Sequence, residues 1–267
     1  MKDFMRKEKE LLVQLLNKAA VEIESRFRKE MRFDLKDELG RDAVTEADLL
    51  SEEILIHGIK NAFPEDRIIS EERGILEKGG SKRLWLLDPL DGTNNFRQGI
   101  PYFCVTGSLW MHGEPVVAGT IAAWDRMELF LAIKGRGATL NGKTIKVTHV
   151  SEIPDAYVSI DSGISISQRS RAASLFSVLA PRVRGVRLLG SAALAQAYVA
   201  CGRLDAYVNP AGLEPWDTGA GKLLVQEAGG SFSRLDGRDV GVDSGNLAAC
   251  SKELHKELLT LAQEVVD

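Results

Sequence analysis

Apolar residues at Leu12, Leu16, Ala20, Ile23 and Phe27 recur every three or four positions with charges between them, which predicts a long amphipathic helix. A polar loop over 34–42 follows. Leu49, Ile54, Ile59 and Phe63 then predict a second helix, ending before Pro64, whose ring disfavours helical geometry in the residue ahead of it. Beyond that point short apolar-containing runs at 67–70, 84–87, 104–111, 116–123 and 127–133 predict successive strands, with turns at His112-Gly113 and Asn141-Gly142. From residue 156 onward the pattern alternates. Strands are predicted at 156–160, 183–188, 204–208, 231–233 and 246–250, and helices at 168–179, 191–201, 217–228 and 252–265. The expected architecture is layered helices and sheets, antiparallel-rich in the first half and mixed in the second, with no internal repeat or low-complexity linker.

Composition narrows the class. With 44% hydrophobic and 27% charged residues, the 267-residue chain is expected to fold around a sizeable core, and disorder and collagen-like repeats are disfavoured. Lys and Arg number 34 against 38 Asp and Glu, a net charge of −4, which disfavours a broad nucleic-acid-binding surface. Arg182, Arg184 and Arg187 are the densest basic cluster, and such alternation near a strand is usually a solvated face. No apolar stretch approaches bilayer length, and the start, Met1 to Arg6, runs into charge, so a cytoplasmic protein without membrane attachment is expected. Cys104, Cys201 and Cys250 lack Cys-x-x-Cys spacing and read as small apolar residues; His57, His112, His149 and His255 form no ligand spacing. Trp85 and Trp110 read as core or interface anchors.

The chemistry concentrates in Trp85-Leu86-Leu87-Asp88-Pro89-Leu90-Asp91-Gly92-Thr93-Asn94-Asn95-Phe96, an apolar strand that empties into two aspartates at a Pro/Gly turn. Pro89 restricts the backbone between the acids, and Gly92 lets the chain approach a ligand without a Cβ in the way. Hard anionic oxygens three residues apart suit Mg²⁺, which takes oxygen ligands and keeps positions for water and substrate phosphate. A helix beginning near Thr93 would offer the amides of Gly92, Thr93 and Asn94 to an anion. Taken singly, Asp-Pro and Asp-Gly are turn formers and Thr93 an N-cap. Taken together, Asp-Pro-x-Asp-Gly-Thr arises by chance in about one chain in ten thousand of this length at average residue usage.

This segment resembles the first signature of the inositol monophosphatase family of magnesium-dependent, lithium-sensitive phosphatases, and the rest of the chain matches it in order. Ile69-Ser70-Glu71-Glu72 resembles the family's acidic pair, and Val44 to Asp48 its Val-Thr-x-x-Asp element. Glu214-Pro215-Trp216-Asp217-Thr218-Gly219-Ala220-Gly221, followed by Glu227-Ala228-Gly229-Gly230, resembles the second signature. The resemblance implies an α+β fold, the layered αβαβα sandwich of the inositol monophosphatase and fructose-1,6-bisphosphatase type. One catalytic unit would span residues 1–267, with a metal-site half (1–150) and a substrate-side half (151–267).

It further implies two or three Mg²⁺ ions held by Glu71, Asp88, Asp91 and Asp217 with the Leu90 carbonyl. Glu71 and Thr93 would orient and deprotonate the attacking water, with Asp48, hydrogen-bonded to Thr93, as proton acceptor. Asp91, Gly92, Thr93, Gly190, Ser191, Ala192 and Asp217 would contact a small phosphate monoester. From the residues alone, Thr45-x-x-Asp48 is equally a capping box, and Asp217 could be only an N-cap, although Trp216 and the small residues after it match the family element that supplies a metal carboxylate. One departure stands out. Where several relatives place a glutamate that grips the inositol hydroxyls, this chain reads Val208-Asn209-Pro210-Ala211-Gly212-Leu213, without an acid. The substrate expected is inositol 1-phosphate with relaxed selectivity. Fructose 1,6-bisphosphate, NADP and 3′-phosphoadenosine 5′-phosphate stay open, as does a non-catalytic role binding transcription or ribosome machinery. The family usually forms homodimers, which is the assembly the resemblance implies.

Overall fold

The computed structural model describes residues 5–30, 32–36, 42–76, 81–125, 127–243 and 245–265. In chain order the first half comprises α1 (Arg6–Arg26), β1 (Phe33–Leu35), β2 (Ala43–Thr45), α2 (Glu46–Ala62), β3 (Arg67–Ser70), β4 (Gly74–Leu76), β5 (Arg83–Asp91), a one-turn α3 (Thr93–Arg97), β6 (Cys104–Met111), β7 (Glu114–Ala122), β8 (Glu128–Ile133), β9 (Ala138–Leu140) and β10 (Lys143–Ile145). The second half comprises β11 (Tyr157–Ile160), α4 (Ile166–Leu179), β12 (Gly185–Leu188), α5 (Ala192–Ala200), β13 (Ala206–Leu213), α6 (Pro215–Glu227), β14 (Ser231–Ser233), β15 (Gly245–Cys250) and α7 (Lys252–Gln263).

Two sheets organise the molecule. An eight-stranded sheet runs β10-β9-β8-β7-β6-β5-β3-β4, antiparallel except for the parallel β3/β5 pair. A five-stranded sheet runs β12-β11-β13-β15-β14, with β11 parallel to both of its neighbours. Strand side chains alternate between faces, and the cores sort accordingly. Trp85, Leu87, Val105, Leu109 and Val117 pack against Leu12, Leu16, Ala20 and Ile23 of α1 and Leu55 and Ile59 of α2. On the opposite face Cys104, Ala118 and Phe130 meet Ala193 and Ala197 of α5 and Ala220 and Leu224 of α6. The same core includes Tyr207, Leu247 and Ala249 of the smaller sheet, whose far side places Val158, Ile160 and Val208 against Leu175 of α4 and Leu254 and Leu258 of α7. The layers are therefore α1/α2, sheet, α5/α6, sheet, α4/α7, the αβαβα sandwich that the family resemblance implies. In the central layer α5 and α6 approach so closely that a Cβ on Gly221 would lie 1.7 Å from Gln196 Oε1.

The differences from expectation are local. The loop predicted over 34–42 is flanked by β1, which overlaps its start, and β2, which follows it, and the two pair with each other; both are only three residues long, too short for alternation to register, and residues 37–41 lie outside the described chain. Strands β4, β9 and β10 are equally short. The sixth helix starts at Pro215 rather than 217, with Glu214 as its N-cap. Phe27 lies one residue past α1 and packs its ring, tilted, 4.9 Å from that of Phe103. Cys104 and Cys250 are buried and Cys201 half-buried, all three as free thiols. Among the described residues no helix is long and apolar enough to cross a membrane.

One buried network ties α1 to the large sheet. Asp66 accepts from Trp85 Nε1 at 2.8 Å and from Arg83 Nε at 2.9 Å, while Arg83 also reaches Glu8 at 2.9 Å. Removing its carboxylate strands a partly buried guanidinium and a buried indole N–H. Asp66→Ala is expected to cost about 3 kcal/mol. The check is a urea titration followed by tryptophan fluorescence, and a loss under about 1 kcal/mol would rule the network out as a main support.

Candidate active site

The aspartates of the first signature do not sit in a turn; β5 continues through both. In the pairing with β6, Asp88 faces Thr106 and Asp91 faces Cys104, three steps on one strand against two on the other. This is a β-bulge at Pro89-Leu90, where proline has no N–H to give to the ladder. The consequence is a change of phase. In a regular strand residues three apart point to opposite faces, but the extra residue brings Asp91 to the face of Asp88, opposite Cys104 and Thr106 on their common side. The chain then turns at Gly92, whose φ is 94°. A Cβ there would stand 3.0 Å from the Tyr102 carbonyl oxygen and 3.2 Å from that of Gly190, so only glycine meets both the conformation and the space. The short α3 begins at Thr93, as the sequence suggests.

Each acidic side chain is held by named partners. Asp88 Oδ1 accepts from the Leu90 amide at 3.0 Å across the bulge. Asp91 lies at the start of α5, accepting from Ser191 Oγ at 2.5 Å and from the amides of Ala192, Ala193 and Leu194 at 3.1, 2.7 and 3.4 Å. It thereby satisfies helix-end donors from another strand. Asp217 accepts from the Glu214 amide at 2.8 Å in a capping box. Asp48 is both a cap and a site residue. It accepts from the Thr45 amide at 2.8 Å and from the Thr45 hydroxyl, while its other oxygen lies 2.9 Å from Thr93 Oγ1. Thr93 Oγ1 is also 2.9 Å from the Leu90 carbonyl oxygen, and its single proton serves one acceptor at a time. Ser51 of α2 donates to the Pro89 carbonyl at 2.7 Å, fastening the bulge to the helix that carries Asp48.

The acidic pair divides. Lys36 places its ammonium 3.0 Å from Glu71 and 2.6 Å from Glu72. Behind them, fully buried Glu52 accepts from the amides of Glu72 and Arg73 at 3.2 and 3.0 Å, setting the loop that carries Glu71. Sequence reasoning missed Lys36 and Glu52 because each is one charge among many on a polar stretch. Asp161, at the end of β11, is the other acid it missed.

Burial and mutual repulsion raise the proton affinity of this cluster. Asp88 is held well above the ordinary carboxyl range by burial first, then by Glu71, Asp91 and Asp217. Asp217 is raised likewise, by burial and then by Asp91 and Glu71. Burial raises Glu71 despite the opposing charge of Lys36, and Glu71 hydrogen-bonds Asp88. Glu72 is pushed up to about 7, mainly by burial. Burial also raises Asp48 against its hydrogen bonds from Thr45 and Thr93, and raises Asp91 against those from Ser191 and α5. Burial opposes the charge on Lys36, but Glu71 and Glu72 more than offset it and hold the ammonium firmly protonated.

Four mutually repelling carboxylates from β5, α6 and the loop after β3 are the donor set of a hard cation, and Lys36 already places a positive charge among them. The residues therefore fit Mg²⁺. As their side chains stand, among the described residues no three His, Cys, Asp or Glu enclose a single ion, since Asp91 is engaged with α5 and Glu71 with Lys36. Of the expected substrate segment, the Ala192 amide and the Ser191 hydroxyl are given to Asp91, and Gly190 lies against Asn95, which donates to the Leu189 carbonyl at 2.7 Å.

The profile of the inositol monophosphatase family matches residues 5–267. The chain belongs to that family. Its members are metal-dependent phosphatases, and the chain is a phosphatase of this type. Relatives include the Nus factor SuhB of Xylella fastidiosa, 41% identical over 74% of this chain and 71% of that one. Another is the fructose-1,6-bisphosphatase/inositol-1-monophosphatase of Thermotoga maritima, 35% identical over 85% of each chain. Among solved structures, the suhB extragenic suppressor protein of Bartonella henselae superposes with a TM-score of 0.89 at 28% identity, covering 96% of this chain and 98% of that one.

Proposed function

We propose that the chain hydrolyses inositol 1-phosphate and related hydroxyl-rich phosphate monoesters to the free alcohol and phosphate, with Mg²⁺, and that it does so as one catalytic unit drawing residues from both halves. The observation that carries the reading is the bulge in β5, which brings Asp88 and Asp91 to one face beside Glu71 and Asp217, with the Asp48–Thr93 pair alongside. Glu71, Asp88, Asp91, Asp217 and the Leu90 carbonyl would hold two or three ions. When bound, these neutralise the carboxylates, polarise the phosphoryl group and stabilise charge on the attacking and leaving oxygens.

The chain's own groups handle position and protons. Thr93 Oγ1 receives a proton from the attacking water as it passes its own to Asp48 Oδ1, 2.9 Å away. Asp48 suits the acceptor role because burial raises its proton affinity and Thr45 fixes its orientation. Glu71 orients the water, and the amides of Gly92 and Thr93 hold phosphate oxygens as charge develops. No covalent phosphoryl-enzyme forms.

The test is phosphate release by the purified protein from inositol 1-phosphate, fructose 1,6-bisphosphate, 3′-phosphoadenosine 5′-phosphate and NADP, with and without Mg²⁺. Turnover that requires Mg²⁺ and is led by inositol 1-phosphate is expected. A different leading substrate would move the specificity, and no release from any of the four would overturn the reading. A second reading, a Nus-factor role, is favoured by the name of the 41% identical relative. A variant without the metal carboxylates would retain such a role and lose hydrolysis.

A further inference from the structure

Residues 209–213 carry no acid, where the family resemblance implies an acceptor for the hydroxyls of the substrate. Asn209 does not replace it. Its Oδ1 turns back to accept from the amides of Ala211 and Gly212 at 2.8 and 2.9 Å, and its Nδ2 lies 3.4 Å from the Tyr207 hydroxyl. Tyr207 in turn donates to Asp161. Tyr207 and Asn209 are fully buried, whereas Asp161 is half-buried, so this relay from β13 meets solvent at Asp161.

The position is that of a ligand-binding residue. Asp161 directly follows β11, which lies between β12 and β13 and parallel to both, and ligands of such sheets gather outside the carboxyl ends of the strands. The Gly190 amide also hydrogen-bonds Asp161, and the next residue, Ser191, donates to Asp91 at 2.5 Å. One short loop thus joins Asp161 to the metal carboxylates. Each carboxylate oxygen has two lone pairs, so Asp161 keeps acceptor capacity after binding Tyr207 and Gly190. A carboxylate there repels phosphate and attracts hydroxyl donors, which assigns it to the alcohol end of the substrate.

We propose that Asp161, held by Tyr207, accepts hydrogen bonds from the hydroxyl groups of a polyol or sugar phosphate, doing from β11 what an acid on β13 would otherwise do. This rests on the phosphatase reading above. An acceptor of this kind, once the substrate closes it off from water, discriminates against substrates that lack hydroxyls.

The test compares inositol 1-phosphate with phenyl phosphate, which has no hydroxyl groups on its alcohol part. In Asp161→Asn, which keeps the size of the side chain and an acceptor for Tyr207, the ratio of kcat/KM for the first over the second is expected to fall about tenfold or more, chiefly through KM. Tyr207→Phe should lower the same ratio by a smaller factor. A ratio within about twofold of the parent in Asp161→Asn, or an equal loss on both esters, would overturn the assignment in favour of a purely structural role. If the parent protein hydrolyses neither ester with Mg²⁺, the phosphatase reading itself falls and takes this assignment with it. Hydrolysis of both with an unmoved ratio removes the assignment alone.

Discussion

Asp88→Asn is expected to lower kcat on inositol 1-phosphate about a thousandfold, corresponding to about 4 kcal/mol of transition-state stabilisation. The fold should survive, because an Asn side chain can still accept from the Leu90 amide as Asp88 Oδ1 does. Stability should move the other way. Asp88 is almost wholly buried and raised by burial and by Glu71, Asp91 and Asp217, so neutralising it removes repulsion that Lys36, paired with Glu71 and Glu72, only partly offsets in the metal-free protein. The metal-free variant should therefore melt at or above the temperature of the parent. Calorimetry and phosphate-release kinetics on the same samples check both halves. Loss of activity with a lowered melting temperature would indicate a structural role for Asp88, and unchanged activity would remove it from the site.

The second large effect is on stability, through metal and pH together. Asp88, Asp217 and Glu71 have raised proton affinities, and Glu72 is raised to about 7. The folded protein therefore binds more protons than the unfolded chain between the ordinary carboxyl range and about pH 7. Where that holds, stability falls as pH rises. In the presence of a chelator, the melting temperature should decline across that window. Mg²⁺ binds the deprotonated cluster of the folded state only, so its stabilisation should grow with pH over the same range. At about one hundred times Kd the ion contributes about 2.7 kcal/mol, or about 5–10 °C for a chain of this size. A Mg²⁺ increment independent of pH would place the ion elsewhere. In Asp88→Asn the increment should shrink.

Much of the fold was legible because its elements are long and their packing is one-sided. Leu12, Leu16, Ala20 and Ile23 are all buried, as their spacing requires, and the strands of the large sheet follow their apolar runs. Of the three-residue strands β14 was predicted, but β1, β2, β4, β9 and β10 were not legible, since three positions carry no period, and β1 is wholly exposed. In the site, the hydrogen bond between Asp48 and Thr93 that the family resemblance implied is present at 2.9 Å. The contribution of Lys36, Glu52 and Asp161 was invisible, because each acts on residues at least 20 positions away in the chain.

By itself, then, the sequence determined the order and type of the longer elements and the acids of both signatures, because local spacing and residue chemistry suffice for these. Only the tertiary structure decided that Asp88 and Asp91 share a face, that Asp91 caps α5, and that a carboxylate stands at the end of β11 near the vacated acid position. The first depends on the phase of a bulge and its pairing with β6, and the others on contacts between residues distant in the chain. Strand phase and long-range contact are settled by packing, which no local pattern encodes.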